Sequence, residues 1–335
     1  LVSADTKMSL VKTITCDISP KSVRSSGTGL VSAHNMMYRH SVTIYDANTF
    51  ELIKTVSDSV QLSKFGYSKY TSTYRGAPVE GAFSADGKYL YVTNYAMYGK
   101  GFNREGHDTC SPASRYDSSF LYRINLASYQ IDNVYPVGSV PKVVETTPDN
   151  KFVLVSNWCS YDLNVISVDS QKVVETIKIG RYPRGIAVSN DSKFAYVAEM
   201  GGSRIHVINL GDFSVSYIPI GSNPRAIVLS PDNSMMYVTM NLSGKVASWD
   251  LVNNKAGKSV KTGKAARSLA ISSDGTALFV VNFVSDTMSK VRTSDMKVLQ
   301  NIKVCNEPIG ITYDSPTSRT WVACYGGSVK IFDNK

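Results

Sequence analysis

The sequence predicts an all-β protein, a seven-bladed β-propeller whose last blade is completed by the N-terminal strand. The first observation is a repeat. PRGIAV at residues 183–188 and KFAYVAE at residues 193–199 flank a turn, and a similar sequence recurs every 41 or 42 residues. Second, each copy holds four short apolar, β-branched runs, split by Asp-Gly, Asp-Asn or Asp-Ser pairs that favour tight turns. Third, the chain has no long apolar stretch of helical period. Four strands at this period are typical of a propeller blade.

The two ends of the chain are predicted to share one blade. Residues 9–15 (SLVKTIT) form a strand with no partner strand before it, and the last repeat, residues 308–335, has only three strands. Adding the first strand to the last repeat closes the ring and removes an exposed sheet edge, which is a hazard for aggregation.

The blades follow in order along one domain, residues 1–335. Blade 1 covers about residues 18–57 and blade 2 about 59–140, and the later blades begin near Pro141, Pro183, Pro224, Ala266 and Pro308. Blade 2 is longer than the others because of two insertions, residues 61–77 and 96–118. We expect both on the face where first strands begin and second strands end, which we call the top, and long loops on a rigid scaffold are often functional.

One short motif suggests a family. Tyr91-Val92-Thr93-Asn94 closes a second strand, and variants stand at residues 154–157, 196–199, 237–240, 279–282 and 321–324. This pattern resembles the YVTN-repeat β-propellers over nearly the whole chain. The resemblance implies a seven-bladed propeller of bacterial or archaeal type, at the cell surface or in the periplasm. It says little about function, because propellers host many activities.

The charge balance favours anionic partners. The chain has 36 basic and 27 acidic side chains, for a net charge of +9. Such a balance suits an anionic polymer, a glycan, an envelope protein or single-stranded nucleic acid. The alternative is a basic surface with no ligand.

The five cysteines point to an oxidising compartment. No Cys-x-x-Cys pair is present, which argues against a zinc ribbon or a thioredoxin-type motif. We predict two bridges, Cys110–Cys159 and Cys305–Cys324, with Cys16 left over. The chain begins with Leu1 rather than Met, so we expect a trimmed, exported protein, located in the periplasm, on the surface or secreted. No stretch is long and apolar enough to span a membrane.

A ring of cations is predicted at the top of the central channel. The residue after each blade entry is basic in five blades, whereas blade 2 has Val79-Glu80 and blade 7 has Ile309. The five residues are Lys21, Lys142, Arg184, Arg225 and Arg267, called the cation ring below. Converging cations focus a positive potential, and arginine favours bidentate contact with carboxylate or phosphate.

Two further sets of residues are expected near the ring as binding residues. The ends of the second strands supply amides and the next positions supply aromatic rings, which can bond and stack on sugars or bases. These are Asn94, Asn157, Asn241 and Asn282, then Tyr95, Trp158, Phe283 and Tyr325. The insertions interleave basic and aromatic residues, among which we single out Tyr74, Arg75, Arg104 and His107.

The alternative for all these residues is structural. The basic residues would then pair with the next blade, the asparagines would cap turns, and the aromatics would pack between blades.

For the whole protein we predict a non-catalytic binding propeller without a cofactor or metal. One alternative is a lactonase- or lyase-like propeller enzyme that uses His34, Glu80, Glu199 and Arg184, and another is a structural subunit of an envelope assembly. The common hydrolase, metalloprotease and phosphate-loop motifs are absent from the sequence.

Overall fold

Seven four-stranded antiparallel sheets are arranged as the blades of a propeller in the computed structural model, which describes residues 2–335. Blade 1 follows the first strand, β1 (Met8–Ile14), and contains β2 (Ser22–Ser25), β3 (Leu30–Asn35), β4 (Ser41–Asp46) and β5 (Leu52–Ser57). A small hairpin comes next, β6 (Ser59–Val60) and β7 (Tyr74–Arg75). Blade 2 contains β8 (Pro78–Phe83), β9 (Tyr89–Asn94), β10 (Ser119–Asn125) and β11 (Gln130–Val137).

The next four blades repeat the same order. They contain β12 (Pro141–Thr146), β13 (Phe152–Asn157), β14 (Asp162–Ser167) and β15 (Lys172–Lys178); β16 (Pro183–Val188), β17 (Phe194–Glu199), β18 (Ile205–Asn209) and β19 (Val215–Ile218); β20 (Pro224–Leu229), β21 (Met235–Met240), β22 (Lys245–Asp250) and β23 (Lys255–Lys261); β24 (Ala266–Ile271), β25 (Ala277–Asn282), β26 (Thr287–Arg292) and β27 (Lys297–Lys303). The helical content of the described residues is three 3₁₀ turns, Ser3–Asp5, Leu62–Phe65 and Pro112–Ser114.

The last blade joins both ends of the chain, which confirms the predicted closure. It contains β28 (Pro308–Asp314), β29 (Arg319–Cys324) and β30 (Ser328–Asn334), and β1 pairs with β30 from Met8↔Asn334 to Ile14↔Val329. The buried ammonium of Lys290, in blade 6, donates to Thr6 O and Asn334 Oδ1 at 2.7 Å each. The first segment is therefore tied to two blades.

The turns between first and second strands explain why the repeat folds locally as it does. In blades 2 to 6 an aspartate of the turn accepts a hydrogen bond from a hydroxyl at the end of the first strand, at 2.6–2.7 Å. The next residue has a positive φ, for example 72° at Gly87 and 60° at Asn150. Glycine and asparagine tolerate that conformation best, so the Asp-Gly and Asp-Asn pairs place the hairpin at each copy.

The core lies between blades rather than at one centre. Seven apolar clusters join side chains of neighbouring blades, as in the cluster that contains Val31 of blade 1 and Trp321 of blade 7. Blade 1 and blade 7 approach so closely that a Cβ on Gly310 would lie 2.9 Å from the Cα of Ser22. The first strands are thereby held around a common axis, which positions the residues at their beginnings.

Candidate functional site: the top of the central channel

A repeated backbone bond builds the rim of the channel. The N–H that follows the second strand donates to the carbonyl of the residue before the first strand, as in Trp158 N to Val140 O (3.0 Å) and Phe283 N to Ala265 O (2.9 Å). The same bond joins Tyr95 to Ala77 and Tyr325 to Glu307. Each aromatic residue is thus held close to the beginning of the first strand of its own blade, next to a basic residue of the same or a neighbouring blade.

Hydroxyl groups tie the rim of one blade to the next. Ser156 donates to Arg184 O at 2.7 Å, Thr239 to Arg267 O at 2.9 Å, and Ser268 to Ile309 O at 2.8 Å. Each acceptor is the carbonyl of the residue that follows the blade entry. The backbone of the cation ring is therefore fixed by bonds between blades.

The structure brings the five members of the cation ring together. Burial lowers the pKa of Lys21 well below its ordinary value, and the charges of the other four members lower it further. Burial and the neighbouring Arg184 likewise lower the pKa of Lys142 to about 8, although Asp108 opposes this. Lys142 and Arg225 are only 3% and 4% exposed. The ring therefore concentrates positive charge at a site where two of its five cations are buried and the other three are partly exposed.

Few acidic groups compensate this charge. Lys142 Nζ lies 2.7 Å from Asp108 Oδ1, and Glu80 reaches the same region from β8. Burial raises the pKa of Glu80, against the attraction of nearby arginines, so its charge is itself costly. Within residues 2–335, the side-chain nitrogens of Lys21, Arg184, Arg225 and Arg267 make no hydrogen bond or ion pair, and Arg267 Nε is fully buried.

Aromatic faces cover most of the ring instead. The Arg267 guanidinium carbon lies 3.5 Å from the centre of the Phe283 ring, and Lys21 Nζ lies 4.9 Å from that of Tyr325. Lys142 Nζ faces Tyr95 at 4.5 Å and Trp158 at 5.2 Å, and the Arg184 guanidinium carbon lies 5.7 Å from the centre of the Trp158 ring. Such contacts stabilise each cation by about 0.5–2 kcal/mol, which is less than a carboxylate partner would supply in the same place.

A cavity of about 730 Å³ lies below the ring, along the channel axis. Glu80, Arg184 and Arg225 line its upper end, and the turns after the first strands line its lower end. Arg24 of blade 1 crosses to Glu145 of blade 3, with Nη2 at 2.5 and 2.7 Å from the two carboxylate oxygens. The charges of Arg24 and Glu145 neutralise each other, so the unpaired positive charge of the channel lies at the top, in the cation ring.

The β9–β10 loop, residues 95–118, is anchored over the ring, and we call it the lid. The disulfide Cys110–Cys159 joins it to blade 3, and Cys305–Cys324 joins residues within blade 7; both predicted bridges are confirmed. Trp158 Nε1 donates to Asp108 O at 2.8 Å, and Tyr95 OH donates to Asp108 Oδ1 at 3.1 Å. The lid thus places one carboxylate at the edge of the ring.

Three residues predicted to contact a ligand have side chains that point away from the rim, so these predictions are wrong. The amides of Asn94, Asn157 and Asn282 are fully buried inside their blades and not on the rim. Asn157 Nδ2, for example, donates to Asp162 and Asn164 of the adjacent strand at 2.7 Å each. These side chains join the second strand to the third, because consecutive side chains of a strand point to opposite sides.

Of the four residues singled out in the insertions, three have partners within the protein and one is exposed. Tyr74 is buried, where it packs with Tyr70 and Phe102, so its predicted exposure to a ligand is wrong. Arg75 pairs with Asp58, and Arg104 donates to Ser114 O within the lid. His107 is exposed at the top, beside a second cavity.

The residues of the enzyme alternative do not share a site. His34 is buried between Ser22 and Ser32, and burial lowers its pKa to about 3. Glu199 replaces the strand-end asparagine in blade 4, where it binds Arg204 and His206. Of the four residues, only Glu80 and Arg184 line the channel cavity. Over residues 2–335, no group of three or more His, Cys, Asp or Glu side chains is arranged to hold a metal ion.

Two parts of the top face were not predicted from the sequence. Tyr182 stacks on Trp158, with ring centres 4.3 Å apart, and its hydroxyl accepts from Cys110 N. A cavity of about 800 Å³ also opens between the lid and the β3–β4 loop, which carries Met36, Met37 and Tyr38. The position of Tyr182 could have been noticed in the sequence, because an aromatic residue stands directly before the first proline of a blade in Tyr182-Pro183.

Comparisons with known proteins support the fold and leave the family open. The chain is 30% identical to Antigen Lp49 of Leptospira interrogans over 152 residues, which is 43% of this chain and 33% of that protein. The match thus spans about one third of that relative. The structure is similar to that of hydrazine synthase from Kuenenia stuttgartiensis, with a TM-score of 0.73 and 16% identity, over 95% of this chain and 96% of that chain. That likeness shows the fold alone. No family model matches, so the YVTN-repeat resemblance stays a prediction.

No helix within residues 2–335 has the length and apolar character needed to cross a bilayer. Two disulfides are typical of proteins that fold outside the reducing cytoplasm.

Proposed function

We propose that this protein is a non-catalytic binding propeller, located outside the cytoplasm, that holds an anionic group of its ligand in the cation ring. One observation carries the proposal: Arg225 is 4% exposed as a residue, lines the channel cavity and has no ion-pair partner within residues 2–335. A buried, unpaired charge is costly, so it is retained most readily where a ligand compensates it. The two disulfides, and a relative that is named an antigen, support the location.

Sulfate is a suitable first probe because it tests charge without testing the rest of the ligand. We expect sulfate to bind at low ionic strength and to raise the melting temperature of the protein, since a ligand of the folded state stabilises it. The variant Arg225→Met should bind at least about tenfold more weakly, a loss of about 1.4 kcal/mol.

The matched control is Arg292→Met, which removes a cation from an exposed pair with Asp295 in blade 6. It should bind sulfate like the wild type. Equal sulfate binding by wild type and Arg225→Met, or no binding by either, would contradict the proposal.

A further inference from the structure

The second cavity at the top has the shape and lining of a ligand cleft. It measures about 800 Å³, with Met37 and Tyr38 on the blade 1 side and Tyr98, His107 and Tyr116 on the lid side. Tyr38 is 86% exposed at the tip of its loop. Ligand pockets of this size are usually lined by apolar and aromatic groups with a few polar ones.

The cleft adjoins the cation ring through one side chain, that of Tyr95. Tyr95 forms part of the cleft wall, and the face of the same side chain lies 4.5 Å from Lys142 Nζ. Because only the Tyr95 side chain stands between the cleft wall and Lys142, a ligand in the cleft has the cation ring next to one of its ends.

The charge of the cleft differs from that of the ring. Its lining, over the described residues, contains no lysine or arginine and includes the carboxylate of Glu105, which accepts from Tyr98 OH at 2.6 Å. A nucleic acid would place a second phosphate beside that carboxylate. An extended peptide would lack a free strand edge to pair with, because the walls are loop side chains. A ligand with its charge at one end fits both parts.

We propose that the top face binds a saccharide whose terminal sugar carries a carboxylate, with the carboxylate in the cation ring and the neutral sugars in the cleft. This inference rests on the proposed function. Arginine binds carboxylates through two parallel hydrogen bonds. Tyrosine offers an apolar face for the sugar ring and a hydroxyl at the edge. Tyr116 and the exposed His107 line the cleft and can supply hydrogen bonds to sugar hydroxyls, although His107 Nδ1 already accepts from Thr109 N.

Sialyllactose is the test ligand, because it has one carboxylate-bearing sugar followed by two neutral ones. Calorimetry on the full chain would compare it with free sialic acid and with lactose. We expect sialyllactose to bind about tenfold more tightly than sialic acid, and lactose to bind more than about tenfold more weakly than sialyllactose. Tyr38→Asn should reduce sialyllactose binding to the level of sialic acid and leave sialic acid unchanged. Asparagine suits this position, where φ is 65°.

Tyr217→Asn is the matched control, since Tyr217 is a half-exposed tyrosine on the outer strand of blade 4. Equal affinities for sialyllactose and sialic acid, or an unchanged affinity in Tyr38→Asn, would overturn the inference while leaving the proposed function intact. Failure of sulfate and sialic acid alike would overturn the proposed function itself. Tighter binding of an oligothymidylate, with a steep salt dependence, or of an oligoglutamate peptide would replace the saccharide with that class of ligand.

Discussion

Asp108 Oδ1 of the lid lies 2.7 Å from Lys142 Nζ at the start of blade 3. The two residues belong to different blades, and the Cys110–Cys159 bridge holds the lid in place beside them. Burial opposes ionisation of Asp108, but Lys142 and the Tyr95 hydroxyl outweigh it and lower the pKa of Asp108 to about 2. A carboxylate of the protein itself therefore occupies one edge of the cation ring at neutral pH.

Asp108→Asn should strengthen anion binding. Removing this carboxylate leaves the ring more positive, so we expect sulfate affinity to rise by about threefold to tenfold, that is, by up to about 1.4 kcal/mol. Titration calorimetry at low salt would measure it. Glu105→Gln removes another lid carboxylate, one that binds Tyr98 rather than the ring, and should change the sulfate affinity less. Weaker binding by Asp108→Asn would mean that Asp108 supports the ligand site instead of competing with the ligand.

Arg225→Met should stabilise the protein in the absence of ligand. The buried guanidinium is crowded by Arg184 and Arg267, which together with burial lower its pKa well below the usual range. An unpaired buried charge is costly, and apolar replacement of buried ion pairs raises the free energy of unfolding by about 1–4 kcal/mol in favourable cases, so we expect a gain of this order. Urea denaturation in a buffer free of multivalent anions would measure the change. A loss of stability would show that the cation is compensated in the unliganded protein.

Anion binding should weaken as pH rises from about 7 to about 9, because the pKa of Lys142 is about 8 and only its protonated form attracts an anion. Between about pH 8 and the ordinary lysine pKa of 10.5, Lys142 is protonated in the unfolded chain but not in the folded protein. The contribution of this group to the free energy of unfolding therefore increases with pH in that window. Lys142→Arg keeps its charge over this range, and its sulfate affinity should vary less with pH. An equally steep pH profile in that variant would assign the effect to another group.

Removal of either disulfide should lower stability, but only removal of Cys110–Cys159 should expose the lid to protease. The Cys110–Cys159 bridge spans 49 residues and the Cys305–Cys324 bridge 19, so loop-closure entropy predicts losses of about 4 and about 3 kcal/mol. Only the double variant Cys110→Ser/Cys159→Ser should also become sensitive to trypsin at Arg104 or Arg115 in the lid. Limited proteolysis followed by mass spectrometry would locate the cuts. Cutting in the lid of Cys305→Ser/Cys324→Ser would show that the lid is not held by its own bridge.

Deletion of residues 2–14 should make the protein associate. It removes β1 and exposes the edge of β30, whose unpaired backbone groups can pair with another chain. Light scattering would detect the larger species. Deletion of residues 2–5 alone removes the bonds from Ser3 to Asp274 and from Ala4 to Thr276 but keeps β1, so it should stay like the wild type in size. A monomeric protein after the longer deletion would contradict a need for β1 as an edge cover.

Much of the fold could be predicted because it depends on residues that are close together in the sequence. The repeat period, the apolar runs and the aspartate turns act within one blade, and the missing fourth strand of the last repeat left one place for β1. Closure in turn let the sequence predict that Lys21 and Arg225, far apart in the chain, meet at the channel. The bridge between Cys110 and Cys159 followed from the same reasoning.

The sequence by itself determined the number of blades, their order and the positions that face the axis, since strand spacing and turn chemistry are properties of neighbouring residues. Only the tertiary structure decided how each side chain at the rim is used. Asn157 turns into its blade whereas the next residue, Trp158, covers two cations, because adjacent strand-end positions face opposite ways. The partner of Lys142 comes from a loop of another blade, 34 residues away, and its approach depends on the packed and cross-linked lid.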